Sequence, residues 1–167
     1  MKSLVLTIVG TDKPGLVESL AKLVFNHQGN WLASNFSHMA GQFAGFVEIH
    51  IPEDQEQAIL DAFENHPNLK VCLSQGISEN EQELQQISID IVGNDKPGIV
   101  QEVTGVLNRF NLNIRKFDSS CGSAPNWGSA LFKAHAQVTI PADVDTDELQ
   151  HALEDIANDL MVEVKLS

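Results

Sequence analysis

The chain has 167 residues, 43% of them apolar, and 10 Lys and Arg against 23 Asp and Glu give a net charge of −13. At roughly 150 residues per domain this is one domain or two small ones with enough apolar material for a core, which excludes disordered and fibrous classes. A protein that grips phosphates needs a basic face, so the charge argues against direct nucleic-acid binding and against anionic membranes.

Taken in chain order, Leu4, Leu6 and Ile8 alternate and predict a strand with one buried face. The run around them is too short and too strand-like for a signal peptide, and no stretch of eighteen apolar residues predicts a membrane span. Gly10 to Gly15 predicts a turn, with Pro14 suited to the first helical position. Leu16, Val17, Leu20, Leu23 and Val24 recur at helical spacing, and Gly29-Asn30 breaks that helix. Strands are predicted at about 31–39 and 43–51, turned at Gly41 and ended by Pro52. A helix over about 54–65 with Ile59 and Phe63 inward stops at Pro67, and a strand over 69–74 follows. Cys72 in that strand takes a small buried role by default. Gln75 to Gln86 is polar and acidic without an apolar period and reads as a linker, placed at 77–86 between a first domain, 1–76, and a second, 87–167.

The second half repeats the first. VGTDKPGLV at 9–17 returns as VGNDKPGIV at 92–100, and Asp95 follows Asp12 by 83 positions. At the same offset Leu4, Leu6 and Ile8 fall on Ile87, Ile89 and Ile91, and Asn30 on Asn113. Ile99, Val100, Val103, Val106, Leu107 and Phe110 repeat the helical spacing, with Asn111 as the break. Strands are predicted at 112–121 and 129–140, ended by Pro141, then a helix with Leu149, Leu153 and Ile156 inward, then a strand over 161–166. Ile51-Pro52 meets Ile140-Pro141 at an offset of 89, so the second copy carries six extra residues in the stretch Ser119–Ser129. The order is β-α-β-β-α-β twice, an α+β class of two ferredoxin-like units, each a four-stranded antiparallel sheet with two helices on one face.

A unit of this length that opens with a strand, Gly-x-Asp-x-Pro-Gly and a helix resembles the ACT domain, a small regulatory module that often binds amino acids at domain interfaces. The tandem layout resembles the glycine cleavage system transcriptional repressor group of bacteria. That resemblance implies a non-catalytic, cytoplasmic regulator without cofactors. It would sense a small amino acid, glycine, and act on a DNA-binding transcriptional activator protein rather than on nucleic acid directly, and it is a possible homodimer. The alternatives are a ligand-free ACT dimerisation module and, further off, a small-molecule enzyme.

The DKPG loops carry the ligand-binding expectation. Free N–H groups at a helix start attract a carboxylate, and the helix dipole adds to this. Gly15 and Gly98 let a ligand approach the backbone. Asp12 and Asp95 could receive an ammonium group, and Asn30 and Asn113 offer amides. By resemblance the ligand-binding set is Asp12, Gly15, Leu16 and Asn30, with Asp95, Gly98, Ile99 and Asn113. A structural reading competes, because an Asp in such a turn also bonds nearby backbone N–H groups as a helix cap. No catalytic set is legible: no base stands beside Cys72 or Cys121, and the six histidines lack metal-ligand spacing. The carboxylates Asp143, Asp145, Asp147 and Glu148 read as a helix start favoured by the dipole. Trp127, in the inserted loop, reads either as a residue folded back onto its domain or as a partner contact, since interface hot spots favour Trp. Trp31 reads as a packing residue.

Overall fold

The computed structural model describes residues 1–75, 85–123, 130–156 and 158–166. The chain divides into two compact units, Met1–Glu79 and Asn80–Ser167.

The first unit runs β1 (Lys2–Thr11), α1 (Leu16–Asn26), β2 (Asn30–Met39), β3 (Gln42–Ile51), a single 3-10 turn (Glu53–Gln55), α2 (Glu56–Glu64) and β4 (Leu69–Gln75). Its antiparallel sheet has the order β2-β3-β1-β4. The alternation in β1 puts Leu4, Leu6 and Ile8 on one face, and all three are fully buried. Val47, Ile49 and Ile51 of β3 meet them, and α1 (Leu16, Leu20, Val24) and α2 (Ile59, Phe63) close the same core. Burying each such side chain contributes about 1.5–3 kcal/mol. Trp31 is half-buried against this core, its ring 6.2 Å from that of Phe36.

The second unit runs β5 (Gln85–Asn94), α3 (Ile99–Arg109), β6 (Asn113–Ser123), β7 (Ala130–Ile140), α4 (Thr146–Glu154) and β8 (Met161–Leu166), with the sheet order β6-β7-β5-β8. Its core of Ile87, Ile89, Ile91, Val103, Leu107, Phe132, Leu149 and Leu153 repeats the first. The repeat extends to the register: Gly10 faces Phe43 across β1–β3, and Gly93 faces Phe132 across β5–β7. Bulges recur at Trp31/Ala33 and Ile114/Lys116. Of the six extra residues, one lengthens each strand of the β6–β7 pair. The other four lengthen its connection, 124–129 against Ala40-Gly41. Trp127 lies outside the described residues.

Four local expectations change. Pro14 is not the first helical residue: α1 starts at Leu16, and Gly15 before it is left-handed. Gly10 is not a turn residue but lies inside β1. A Cβ there would overlap the Asn68 carbonyl oxygen and sit 2.8 Å from Leu69 Cδ2, so this glycine serves close approach. The residue that ends α1 is Gln28, at φ 58°, rather than Gly29-Asn30, and its counterpart is Asn111 at φ 57°. At both ends the left-handed residue and the one after it satisfy orphan carbonyls: Gln28 N–H to Phe25 and Gly29 N–H to Val24, Asn111 N–H to Asn108 and Leu112 N–H to Leu107. Cys72 is exposed, because it alternates with Val71 and Leu73 and points away from the helices.

Candidate functional site

Each DKPG segment links the end of a central strand to the start of a helix. In the first unit the Asp12 N–H donates to the Gly41 carbonyl (3.1 Å), which pins the loop to the β2–β3 turn. Leu16 N–H donates to the Lys13 carbonyl (3.4 Å) and Ser19 N–H to the Gly15 carbonyl (2.9 Å). The second unit repeats this with Asp95 to Ala130 (2.9 Å), Ile99 to Lys96 (3.2 Å) and Glu102 to Gly98 (3.0 Å). Gly15 (φ 84°, ψ 3°) and Gly98 (φ 87°, ψ −1°) occupy the left-handed region, where a side chain costs about 1–2 kcal/mol. An added Cβ would meet nothing within 4 Å at either position, so the backbone conformation alone requires glycine.

Neither α1 nor α3 has a side-chain cap. The N-cap residue of each is a glycine, and Asp12 and Asp95 hold the turn through their backbone N–H groups rather than capping the helix with their side chains. The contrast lies within the same molecule: Asp145 of α4 accepts from Asp147 N–H (2.9 Å) and Glu148 N–H (3.2 Å). The loops thus pair uncapped helix starts, positive by the dipole, with an exposed carboxylate.

The second strand adds a residue that the sequence did not single out. His38 of β2 faces Phe43, and its counterpart Cys121 of β6 faces Phe132. His38 Nε2 stands 3.8 Å from Asp12 Oδ2, close enough to act as an ion pair when the ring is protonated. Cys121 stands beside Asp95. Lost solvent contact, a hydrogen bond to Asp95 and that carboxylate's charge push the thiol above its ordinary value, the reverse of an activated nucleophile. The 83-residue offset already aligned positions 38 and 121. Only the β1–β3–β2 pairing shows that both meet the loop aspartate.

The remaining expected residues divide. Leu16 and Ile99 are only 6% and 4% exposed, so their side chains belong to the cores and their backbone N–H groups alone face the loops. Asn30 and Asn113 are not brought to the loops of their own units. Asn30 pairs with His50, which pairs with Ser3, whereas the loop follows Thr11. Eight rungs at about 3.4 Å each separate these levels by roughly 27 Å. The second unit has the same spacing, from Gln86 to Asn94. Among the described residues no group of His, Cys, Asp and Glu could hold a metal ion, and no helix is long and apolar enough to cross a membrane.

Two βαββαβ units, each with a glycine-broken entry into its first helix, define a tandem regulatory fold of the ACT type. Residues 2–69 match the family model described as the ACT domain, so the first unit belongs to the ACT domain family, and the second repeats its elements and register. A protein from Galdieria sulphuraria, described as unknown, is similar over 99% of this chain and 98% of its own, at 23% identity and a TM-score of 0.87. A candidate glycine cleavage system transcriptional repressor is similar over the same shares at 15% identity and a TM-score of 0.66. At these identities the likeness shows the fold. No curated protein matches the chain in sequence.

Proposed function

We propose that the protein is a non-catalytic regulator that responds to a small amino acid and passes its occupancy to a protein partner. The observation that carries this reading is the duplicated loop, in which an uncapped helix start stands beside an exposed aspartate. A zwitterion matches it end to end, with its carboxylate at the first-turn N–H groups just beyond Leu16 or Ile99, whose own N–H groups are taken by the Lys13 and Lys96 carbonyls, and its ammonium at Asp12 or Asp95. Gly15 and Gly98 leave the backbone open to the ligand. Asn30 and Asn113 lie about 27 Å from their own loops, so their amides take no part in a ligand site formed within one unit. Binding and partner affinity are then linked, each altering the other by the same factor. By the resemblance of the sequence to the glycine cleavage repressor group, the ligand is glycine and the partner a DNA-binding activator; a candidate repressor of that system shares the fold. The net charge of −13 suits protein contact better than DNA contact.

The test is thermal unfolding against the twenty amino acids, with glycine and serine titrated. A ligand at 100 times its dissociation constant that binds only the folded state adds about 2.7 kcal/mol, a rise of roughly 5–10 °C for a chain of this size. One amino acid should give a saturable rise that Asp12→Ala or Asp95→Ala reduces. A flat response across the panel would refute the sensor and favour a ligand-free interaction module.

A further inference from the structure

We propose that the groove beside the first DKPG loop is a binding site for a short dicarboxylate. The groove, about 740 Å³, lies between the end of β1 and the turn that leads into β4. Two ammonium groups line it, Lys13 and Lys70, with the amides of Gln42 and Asn68, the Thr11 hydroxyl and the apolar side chain of Val9. No Asp or Glu lines it, in a chain with more than twice as many acids as bases. The Lys70 ammonium has no acceptor among the described residues, and Lys13 Nζ is held at 2.8 Å by the uncharged Asn68 Oδ1. Two ammonium groups without a carboxylate partner, in one groove with apolar side chains, match a ligand with a carboxylate at each end of a short methylene chain. The amides and the hydroxyl can donate to the remaining carboxylate oxygens.

The second unit is an internal control. Val9 pairs with Lys70 across β1–β4, and Val92 pairs with Met161 across β5–β8, so Met161 stands where Lys70 does. By the same registers Gln42 becomes Leu131 and Asn68 becomes Asp159. Asp159 accepts the Asn94 N–H (3.0 Å), which holds its carboxyl below the usual carboxylate range. Of the two cations only Lys96 remains, and it is already 2.6 Å from Glu102. The fold is kept while the charge is removed, so the cationic pair is not a requirement of the framework.

Calorimetric titration of the full chain with succinate and glutarate tests the site, with acetate, sulfate and phosphate as comparison anions. One of the two dicarboxylates should bind saturably and at least tenfold more tightly than acetate or the inorganic anions. Lys70→Met and Gln42→Leu, which copy the second unit, should each weaken it by tenfold or more while the unliganded melting temperature stays within a few degrees. Succinate has no ammonium group, so Asp12→Ala, which removes a carboxylate next to Lys13, should not weaken its binding although it reduces the amino-acid response, which separates this site from the amino-acid reading. Three results would overturn the proposal: no saturable binding of either dicarboxylate, equal binding of sulfate or phosphate, or affinity untouched by both groove variants.

Discussion

Replacing Gly15 by alanine adds one methyl group to a residue at φ 84°, and nothing lies within 4 Å of where that methyl would sit. No contact is gained or lost, so the effect is conformational. Holding an L-residue in the left-handed region costs about 1–2 kcal/mol. Restricting the unfolded chain returns roughly 0.4–1 kcal/mol. The net is a destabilisation of about 1 kcal/mol, or some 4–8 °C for a unit of this size. Gly98→Ala, at φ 87° and also in open space, should match it. The same argument ranks other substitutions at position 15. Asn, which tolerates this region, should cost least. Ser should cost as much as Ala although it is a favoured helix cap, because caps of that kind sit in extended backbone. Val should cost most. Urea titration followed by Trp31 fluorescence in a Trp127→Phe background reports the first unit. A Ser variant as stable as the parent, or an Ala variant costing more than about 3 kcal/mol, would show that contacts or capping rather than the backbone angle decide this position.

Asp145→Ala should lose about 1 kcal/mol with its two capping bonds, whereas Asp12→Ala should cost less than about half of that, since Asp12 caps nothing. Denaturant titration of the two variants side by side checks the difference. Gly10→Ala drives a Cβ into the Asn68 carbonyl and should cost more than about 2 kcal/mol, well beyond Gly15→Ala in the same titration. Asp90 lies 2.6 Å from His135 Nδ1 and 3.6 Å from Lys165 Nζ. The hydrogen bond from His135, with the charges of His135 and Lys165, holds its carboxyl below the ordinary value against the opposing effect of burial. A depressed carboxylate contributes stability above its unfolded pKa of about 3.9 and loses it as pH falls through the folded value. The parent should therefore exceed Asp90→Asn by up to about 1 kcal/mol at pH 6, the range for exposed pairs, with the gap closing below about pH 4. Unfolding curves across that pH range decide it.

What the sequence made legible follows from what periodicity records. Alternation at Leu4, Leu6 and Ile8 and helical spacing at Leu16, Leu20 and Val24 are direct traces of burial, and they placed both cores. Helix ends were read less well, because the left-handed position after α1 holds Gln28, a residue with no special preference for it. The Gly29 N–H bond to the Val24 carbonyl closes the turn locally, and the burial of Val24 in the core, which is tertiary, holds it there. The loops show the same division. The repeat marked Asp12 and Asp95, whereas Asn30 entered by resemblance and lies at the far end of the sheet from the loop of its own unit. A strand that follows an antiparallel helix starts at the far end of the sheet. His38 and Lys70, which do flank the first loop, come from β2 and β4, and only strand pairing brings them there.

The two units also diverge, and on the sheets the change falls on the face turned away from the helices. Positions turned toward the helices keep their character: Leu6 and Ile89, Phe43 and Phe132, Leu20 and Val103. On the opposite face Thr7, Phe46 and Cys72 of the first unit become Asp90, His135 and Glu163 in the second. Phe46 is 56% exposed there, while His135 and Asp90 form an ion pair at the equivalent place. Packing constrains the core positions in both copies equally, because any cavity there costs several kcal/mol. No such constraint acts on the open face, so its change from apolar to charged reflects what each face must meet. An apolar face and a charged one do not suit the same partner surface, since a charge buried against Phe46 would lose its hydration without a counter-ion. The duplication therefore yields two chemically different faces on one framework, and ligand chemistry should be assayed unit by unit rather than assumed equal in both.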